Sequence, residues 1–262
     1  MSLLTDASRP VRPLPELLAA LRDHGLRQGV DPGPMPVRPA LSSGQPALDA
    51  ALGTGGWPRG ALALLDAPTG SGATTLALGT LAAAQATGGV VAYLDPASSL
   101  DPATAARLGI DLQWLLVVRP ASVDEAVELA AWLARDGRLD ALVLDLAGVP
   151  PPSSRALGRL SGLLVRSGSV ALLLGGTARE AASVRVELRR SAWLAVGSDL
   201  VGQRVEARVA RNRWALAGGR AELDLWFAEG RRVDAQLRAA AAPLVAIEPA
   251  EEQRPALAVV GV

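Results

Sequence analysis

The sequence contains no cysteine and no lysine, and its single histidine, His24, lies near the N-terminus. Without cysteine the chain cannot form disulfides, thiolate nucleophiles or cysteine zinc sites. With this single histidine, we expect no histidine-dependent catalytic triad. All 26 basic residues are arginine, which excludes any reaction that needs a lysine amine.

Charge of one sign and long apolar runs are also lacking. The 26 basic residues are balanced by 26 acidic ones, so the formal net charge is zero. Nucleic-acid affinity comes largely from neutralised phosphates, so we expect direct DNA binding to be weak or absent. No stretch reaches the roughly 18 uninterrupted apolar residues that a membrane-spanning helix needs. We therefore expect a soluble, cytoplasmic protein with no membrane partner.

Short apolar runs alternate with helix-length segments in the middle of the chain. The runs are Ala61–Leu65, Val90–Leu94, Leu115–Val118, Ala141–Leu144 and Val170–Leu174. Continuous apolar runs of this length predict buried strands of a parallel sheet. The segments between them, such as Ser122–Arg135, have helical spacing and would form the crossovers.

After Ala182 the apolar period changes to two. Val184–Leu188 and Val205–Val209 alternate apolar with charged residues, with glycine turns at Gly197 and Gly218–Gly219, and Glu222–Phe227 follows as a last strand. This pattern predicts antiparallel strands with one solvated face. The predicted fold class is therefore α/β, a central, mostly parallel sheet flanked by helices, with an antiparallel strand extension at the C-terminal side.

Composition divides the chain into three parts. Residues 1–40 are rich in Pro, Arg and Gly around one helical pattern, Leu14–Leu26, and are predicted to form an arm with a docking helix. Residues 41–240 are the predicted core domain. Residues 241–262 are predicted to be a flexible tail, although its apolar end, Ala256–Val262, could also be a strand that docks on a partner.

A glycine-rich loop follows the first strand and precedes an Ala/Leu-rich helix. A strand, a glycine loop and a helix N-terminus form a phosphate cradle when backbone N–H groups converge on one anion. The usual pattern is G-x-x-x-x-G-K-[ST]. The positions of this loop are Ala67, Gly70, Gly72, Ala73, Thr74 and Thr75, with alanine in place of the first glycine and of the lysine.

The missing lysine weakens any phosphate site here. A charge-assisted hydrogen bond to phosphate contributes roughly 1.5–3 kcal/mol, so its loss lowers affinity by one or two orders of magnitude. The effect is larger on phosphoryl transfer, which depends on electrostatic stabilisation of the transition state. Two interpretations stay open: a loop that binds nucleotide without hydrolysing it, and a tight strand-to-helix turn kept for the fold. We expect no cofactor, with ATP and Mg²⁺ bound weakly at most.

Asp145 ends the apolar run that begins at Ala141. In a parallel sheet this places a carboxylate at the carboxyl edge, where a nucleotide site holds Mg²⁺. Many parallel strands also end in aspartate for solvation or to cap a helix, so Asp145 is a candidate and not an assignment.

Several blocks resemble the RecA recombinase family in order and spacing, over roughly residues 40–230. They are Leu41–Gly60, Tyr93–Pro102, Arg107–Asp111, Leu139–Asp145, Val184–Arg190 and Val209–Arg213. The resemblance implies an ATP site in which Thr74 and Asp145 face the metal and Asp101 lies near the adenine. It also implies three lost chemical positions. The lysine is Ala73, the catalytic glutamate is Ala97, and the glutamine that senses the γ-phosphate is Gly176.

The resemblance extends to the basic strands. Arg211 and Arg213 match two lysines that the family extends across a filament interface. The segment from Arg185 to Arg213 contains seven arginines and three acidic residues. The candidate interface or basic patch comprises Arg185, Arg189, Arg190, Arg208, Arg211 and Arg213. The alternation with apolar residues favours a solvated sheet face with cross-strand ion pairs.

A RecA-like core that lacks these groups and has short DNA-loop segments looks like the ImuA family, the bacterial accessory proteins of damage-induced mutagenesis. This resemblance implies an ATPase-dead adaptor in SOS mutagenesis and translesion DNA synthesis, with an ImuB-like polymerase-fold partner and RecA as a further partner. Two alternatives stay open: a nucleotide-binding switch without turnover, and a single-stranded DNA-binding accessory protein. A homo-oligomer could form through Leu14–Leu26.

Overall fold

The structure is a computed structural model, and it describes residues 40–175, 179–196, 199–227 and 245–247. The docking helix expected at Leu14–Leu26 and the lost position Gly176 lie outside the described residues, as does the turn at Gly197. Within the part that the structure describes, no helix is long and apolar enough to cross a membrane.

Eleven strands and five α-helices are described, and we number each set in chain order. The first half contains β1 (Ala40–Leu41), α1 (Pro46–Ala51), β2 (Trp57–Pro58), β3 (Leu62–Asp66), α2 (Ala73–Ala86), β4 (Val91–Leu94), α3 (Pro102–Arg107) and β5 (Leu115–Val118). The second half contains α4 (Val123–Ala134), β6 (Ala141–Asp145), α5 (Ser154–Ser167), β7 (Val170–Leu174), β8 (Val184–Val196), β9 (Asp199–Asn212), β10 (Arg220–Trp226) and β11 (Val245–Ile247).

Nine strands form one sheet in the order β10-β9-β8-β3-β7-β6-β4-β5, with β11 beside β8. Strands β3 to β7 pair in parallel, β8 joins β3 in parallel, and β9 and β10 follow β8 in antiparallel pairing. This confirms the predicted fold class. The carboxyl ends of β3, β6 and β7 meet at one edge of the sheet, where open α/β folds bind their ligands.

The parallel strands are apolar throughout because both of their faces are covered. Ala63 and Leu65 pack with α2 in one core cluster, whereas Leu62 and Leu64 pack with α4 and α5 in the other. Alternate residues of a strand point to opposite faces, so a continuous apolar run serves two cores at once. This is why the runs could be identified without any alternation.

The prediction that Leu115–Val118 is a buried strand was wrong for its middle. Leu116 and Val117 are 45% and 39% exposed. The strand forms, but β5 ends the described sheet beyond β4, so it lacks the covering that the central strands have. An apolar run therefore predicted the strand but not its edge position.

The antiparallel extension carries a register shift that matters for the site. Between Arg190 and Ala192 of β8 the pairing with β9 slips, so that Arg190 lies opposite Val205 and Trp193 lies opposite Gln203. Both pairs then face the inner side of the sheet, because a bulge lets residues three apart share one face.

Three residues of the predicted tail, residues 241–262, are described. Val245–Ile247 form β11 and pair antiparallel with Trp193–Ala195 of β8. Strand β8 extends beyond the end of β3, which leaves backbone groups there for another strand to pair. The remainder of that segment lies outside the described residues.

Candidate functional site

The phosphate-type loop has the local geometry that its sequence predicts. Strand β3 ends at Asp66 and helix α2 begins at Ala73, with Gly72 as the N-cap in the left-handed region at φ 84°. A Cβ on Gly72 would clash with Leu225 Cδ1 and with the carboxamide of Gln203. The loop is thus pressed directly onto strands β9 and β10, and only glycine fits there.

Gln203 occupies the backbone groups of this loop. Its side chain is 4% exposed. With the carboxamide oriented by its neighbours, the nitrogen donates to the Gly70 carbonyl at 2.9 Å and the oxygen accepts from the Gly72 N–H at 3.1 Å. The Gly72 N–H is one of the groups that a phosphate cradle leaves free for its anion. A side chain of the same protein therefore satisfies it.

A cation reaches the loop from strand β8 and not from the loop itself. Arg190 donates from Nη1 to the Gly70 carbonyl at 3.3 Å, and its guanidinium lies 4.1 Å from the centre of the Trp193 ring. Its Nε is buried without a hydrogen-bond partner in the described structure. Stacking on tryptophan holds the guanidinium in a cation–π contact beside the loop.

Loop and extension together enclose a cleft of about 500 Å³. Gly70, Gly72, Ala73, Thr74 and Thr75 line one side, and Ala67 contributes at the end of β3. The opposite side is lined by Arg190, Trp193, Gln203 and Phe227. The structure thus brings the six predicted loop residues together with four residues of the antiparallel extension.

Asp145 does not line this cleft. It is 3% exposed, and both of its carboxylate oxygens are in use. Oδ2 accepts from the Tyr93 hydroxyl at 2.6 Å and Oδ1 accepts from the Ala147 N–H at 3.1 Å. Burial, reinforced by the nearby Asp145 carboxylate, raises the pKa of Tyr93 well above its ordinary value. Asp145 is therefore built into a buried hydrogen-bonded pair.

Two further predicted site positions, Asp101 and Ala97, do not line the cleft. Asp101 caps helix α3 and accepts from the N–H groups of Ala103 and Thr104 at 3.1 and 3.0 Å. A further hydrogen bond from the Thr104 hydroxyl leads the causes that lower the pKa of Asp101. Ala97 lies exposed in the loop between β4 and α3. Among the described residues, no group of three or more His, Asp or Glu could hold a metal ion.

The basic patch is divided into two groups. Outside the cleft the arginines are paired: Arg208 with Glu187 at 2.7 Å and Arg189 with Glu206 at 3.0 Å. Arg185 also lies near Glu187, and Arg211 donates to the Glu180 carbonyl at 3.0 Å. These contacts fit the solvated sheet face that the alternation favours.

Arg190 does not belong to this solvated group, because its side chain lies on the inner face of the antiparallel strands, opposite Val205. Arg213 is exposed directly after β9 and does not line the cleft.

Sequence reasoning missed Gln203, Trp193, Phe227 and Tyr93 as parts of the site. For Gln203 a signal existed, since it falls on the apolar parity of Val205, Ala207 and Val209. A polar residue at an inward position needs a hydrogen-bond partner, and the loop backbone is that partner. Phe227 and Tyr93 carry no comparable signal.

The resemblance implies Mg²⁺ and a nucleoside triphosphate at this loop, and the residues do not fit a hydrolysis site for them. The loop cation position is Ala73, the Gly72 N–H is bonded to Gln203, and Asp145 is bonded to Tyr93. The cleft retains the hydroxyls of Thr74 and Thr75. No catalytic step through the nucleotide follows from this arrangement.

Comparisons with known proteins agree with the fold. The family model of the RecA N-terminal domain matches residues 35–171. Protein RecA of Corynebacterium aurimucosum is 35% identical over 243 residues, which cover 78% of this chain and 64% of that protein. Protein RecA of Chlorobaculum parvum is 34% identical over 250 residues, which cover 81% of this chain and 72% of that protein.

A solved structure of the RadB recombinase matches with a TM-score of 0.55 at 20% identity and covers 70% of this chain and 95% of that one. At this identity the match concerns the fold alone. The chain spans 64% of the Corynebacterium aurimucosum relative and 59% of Protein RecA of Corynebacterium efficiens. The similarity therefore does not assign the activities of those longer proteins to this chain.

Proposed function

The chain belongs to the RecA family, and from this premise we propose that it is a catalytically inactive adaptor of bacterial SOS mutagenesis and translesion DNA synthesis. In this role it holds an ImuB-like polymerase-fold protein and RecA, and it turns over no ATP. Its working surface would be the outside of a preserved RecA-type core.

One observation carries the proposal: the loop that would hold phosphate is hydrogen-bonded to its own protein. Gln203 bonds both Gly70 and Gly72, and Ala73 offers no charge in exchange. A phosphate would have to displace a buried carboxamide and leave it unpaired, which costs about 1–3 kcal/mol. The Tyr93–Asp145 pair supports the same proposal on the acid side, because a metal would have to break that contact.

The adaptor role is tested by direct binding between purified proteins. The full chain is titrated calorimetrically with the ImuB-like protein of the same organism, with and without ATP and Mg²⁺. We expect a 1:1 complex whose affinity does not depend on nucleotide. Absence of a complex, or a complex that forms only with ATP, would contradict the adaptor.

Catalytic silence is tested separately by ATP turnover. We expect wild type, Thr74→Val and Asp145→Asn to be indistinguishable from a buffer blank. Turnover in wild type that both substitutions abolish would show that the loop is a live ATPase. The matched gain-of-charge variant Ala73→Lys, combined with Gln203→Ala, is expected to gain nucleotide affinity by about one or two orders of magnitude.

A nucleotide-binding switch without turnover is the second candidate, and the open cleft beside Thr74 and Thr75 favours it. It predicts binding heat when wild type is titrated with ATP and Mg²⁺. A DNA-binding role for the basic strands has less support, since Arg189 and Arg208 are paired with glutamates.

A further inference from the structure

The cleft beside the loop carries an uncompensated positive charge. Among the described residues that line it, Arg190 is the only charged one. One of its N–H groups donates to the Gly70 carbonyl, and its buried Nε has no hydrogen-bond partner in the described structure. A guanidinium has five N–H donors in a planar fork, which suits a carboxylate or another planar anion. The cleft is therefore suited to an acidic ligand.

Apolar surface adjoins this charge. Trp193 and Phe227 line the cleft with their ring centroids 6.2 Å apart, and Phe227 is 38% exposed. Small apolar side chains can pack on such rings, and proline packs well against aromatic surfaces. A ligand that joins carboxylates to small apolar residues would use both features.

Strand β11 indicates which part of the sequence lies near enough to the cleft to be such a ligand. It pairs antiparallel with β8, from Val245 opposite Ala195 to Ile247 opposite Trp193. Each residue of a strand advances by about 3.3 Å, and the direction of β11, from Ala195 to Trp193 along β8, points toward the level of Arg190. The last paired position is opposite a residue that itself lines the cleft.

The sequence after Ile247 has the required composition. It reads Glu248-Pro249-Ala250-Glu251-Glu252, three carboxylates with a proline and an alanine. Pro249 has no N–H with which to extend a strand ladder.

We propose that the acidic segment Glu248–Glu252 of this same chain is the ligand of the cleft, with a glutamate carboxylate bound to Arg190. The segment takes the anion position that the altered loop no longer offers to phosphate. The inference concerns the cleft and does not depend on any partner, so it stands or falls separately from the adaptor role.

Disulfide trapping tests the proposal cleanly because the chain has no cysteine of its own. Thr69→Cys, at the lip of the cleft, is combined with Ala250→Cys, which leaves all three glutamates in place. The control combines Thr69→Cys with Leu216→Cys, which is 91% exposed beyond the far end of β9. A bound segment raises effective concentration, so the test pair is expected to close at least about tenfold faster than the control.

The outcomes separate the possible occupants. Adding Arg190→Gln is expected to slow the test pair to the control rate. Equal rates in test and control would overturn the proposal. Disulfides between chains alone would also overturn it, because they would show the segment docking on a second copy.

A second measurement covers the case in which Arg190→Gln fails to fold. The full chain with Glu248→Gln, Glu251→Gln and Glu252→Gln is titrated with a synthetic peptide of sequence Glu-Pro-Ala-Glu-Glu. The peptide is expected to bind the triple variant at least about tenfold more tightly than it binds wild type, because the proposal has the wild-type cleft already filled by its own segment. Equal affinity for the two chains overturns the proposal, as does ATP or inorganic phosphate that binds both equally. A missing ImuB-like complex changes neither readout.

Discussion

Strands β3, β4, β6 and β7 are covered on both faces, whereas β8, β9 and β10 keep one face in solvent. In the parallel part the remaining polar side chains are bonded to one another or to the backbone: Tyr93 to Asp145, and Asp95 to the N–H groups of Ser99 and Leu100. In the antiparallel part the outer charges pair across strands.

The comparison shows how the two parts divide their roles. The parallel part supplies the shape of the loop and the sheet edge, and its buried carboxylates, Asp95 and Asp145, are hydrogen-bonded internally. The antiparallel part supplies the groups that act on the loop, since Gln203 bonds its backbone and Arg190 brings the charge. A substitution should therefore cost most where the two parts touch, less within the parallel part, and least on the solvated face.

Gly72 lies at that contact, and Gly72→Ala is expected to have the largest effect. The new Cβ would combine left-handed strain with a clash against Leu225 and Gln203, so we expect a loss of about 3 kcal/mol in unfolding free energy. The matched control is Gly88→Ala, which has a similar φ of 80° but nothing within 4 Å of its Cβ, so it should lose only about 1 kcal/mol. Urea unfolding measures both, and equal losses would show that the loop is not pressed onto the extension.

Tyr93→Phe tests the parallel part alone. Removing the hydroxyl leaves a buried Asp145 oxygen without its 2.6 Å donor, which is expected to cost about 2 kcal/mol. The same change in an Asp145→Ala background should cost much less, because the partner is already gone. A double-mutant cycle measures the difference. Additive losses would mean that the pair contributes nothing to stability.

The same pair predicts an alkaline effect. Burial raises the folded pKa of Tyr93 above its unfolded value of about 10, so the folded state holds the phenol proton more tightly. Its contribution is complete below pH 10 and is lost as pH rises further, by up to about 1.4 kcal/mol per pH unit.

The chain has a single tyrosine, which makes the titration unambiguous. Tyrosinate absorbance should appear only with unfolding in the native protein and near pH 10 in denaturant. Ionisation near pH 10 in the native protein would contradict the buried pair.

The sequence predicted the parallel strands well because an apolar run covered on both faces is recognisable by itself, as for Ala141–Asp145. It predicted the loop and its missing charge from Ala73. It did not predict that β5 ends the described sheet or that β11 pairs with β8, because pairing partners far apart in the chain leave no local pattern. Arg190 was grouped with the solvated arginines although it shares the inward parity of Val184, Val186 and Leu188, and the bulge that brings Trp193 to the same face is not visible in the period-two alternation.

The smallest effects are expected on the outer face, and two ion pairs there define the lower end of the comparison. Arg204 holds Asp224 with two hydrogen bonds of 2.7 and 2.9 Å, which raise the pKa of Arg204, and both side chains are about one-third exposed. Arg189 reaches Glu206 with side chains 75% and 47% exposed. Double-mutant cycles in urea should give a coupling of up to about 1 kcal/mol for the first pair and under about 0.5 kcal/mol for the second, because exposed pairs are screened by water. A coupling for Arg189 and Glu206 as large as that of Tyr93 and Asp145 would break the comparison, since the solvated face would then contribute to stability as the covered strands do.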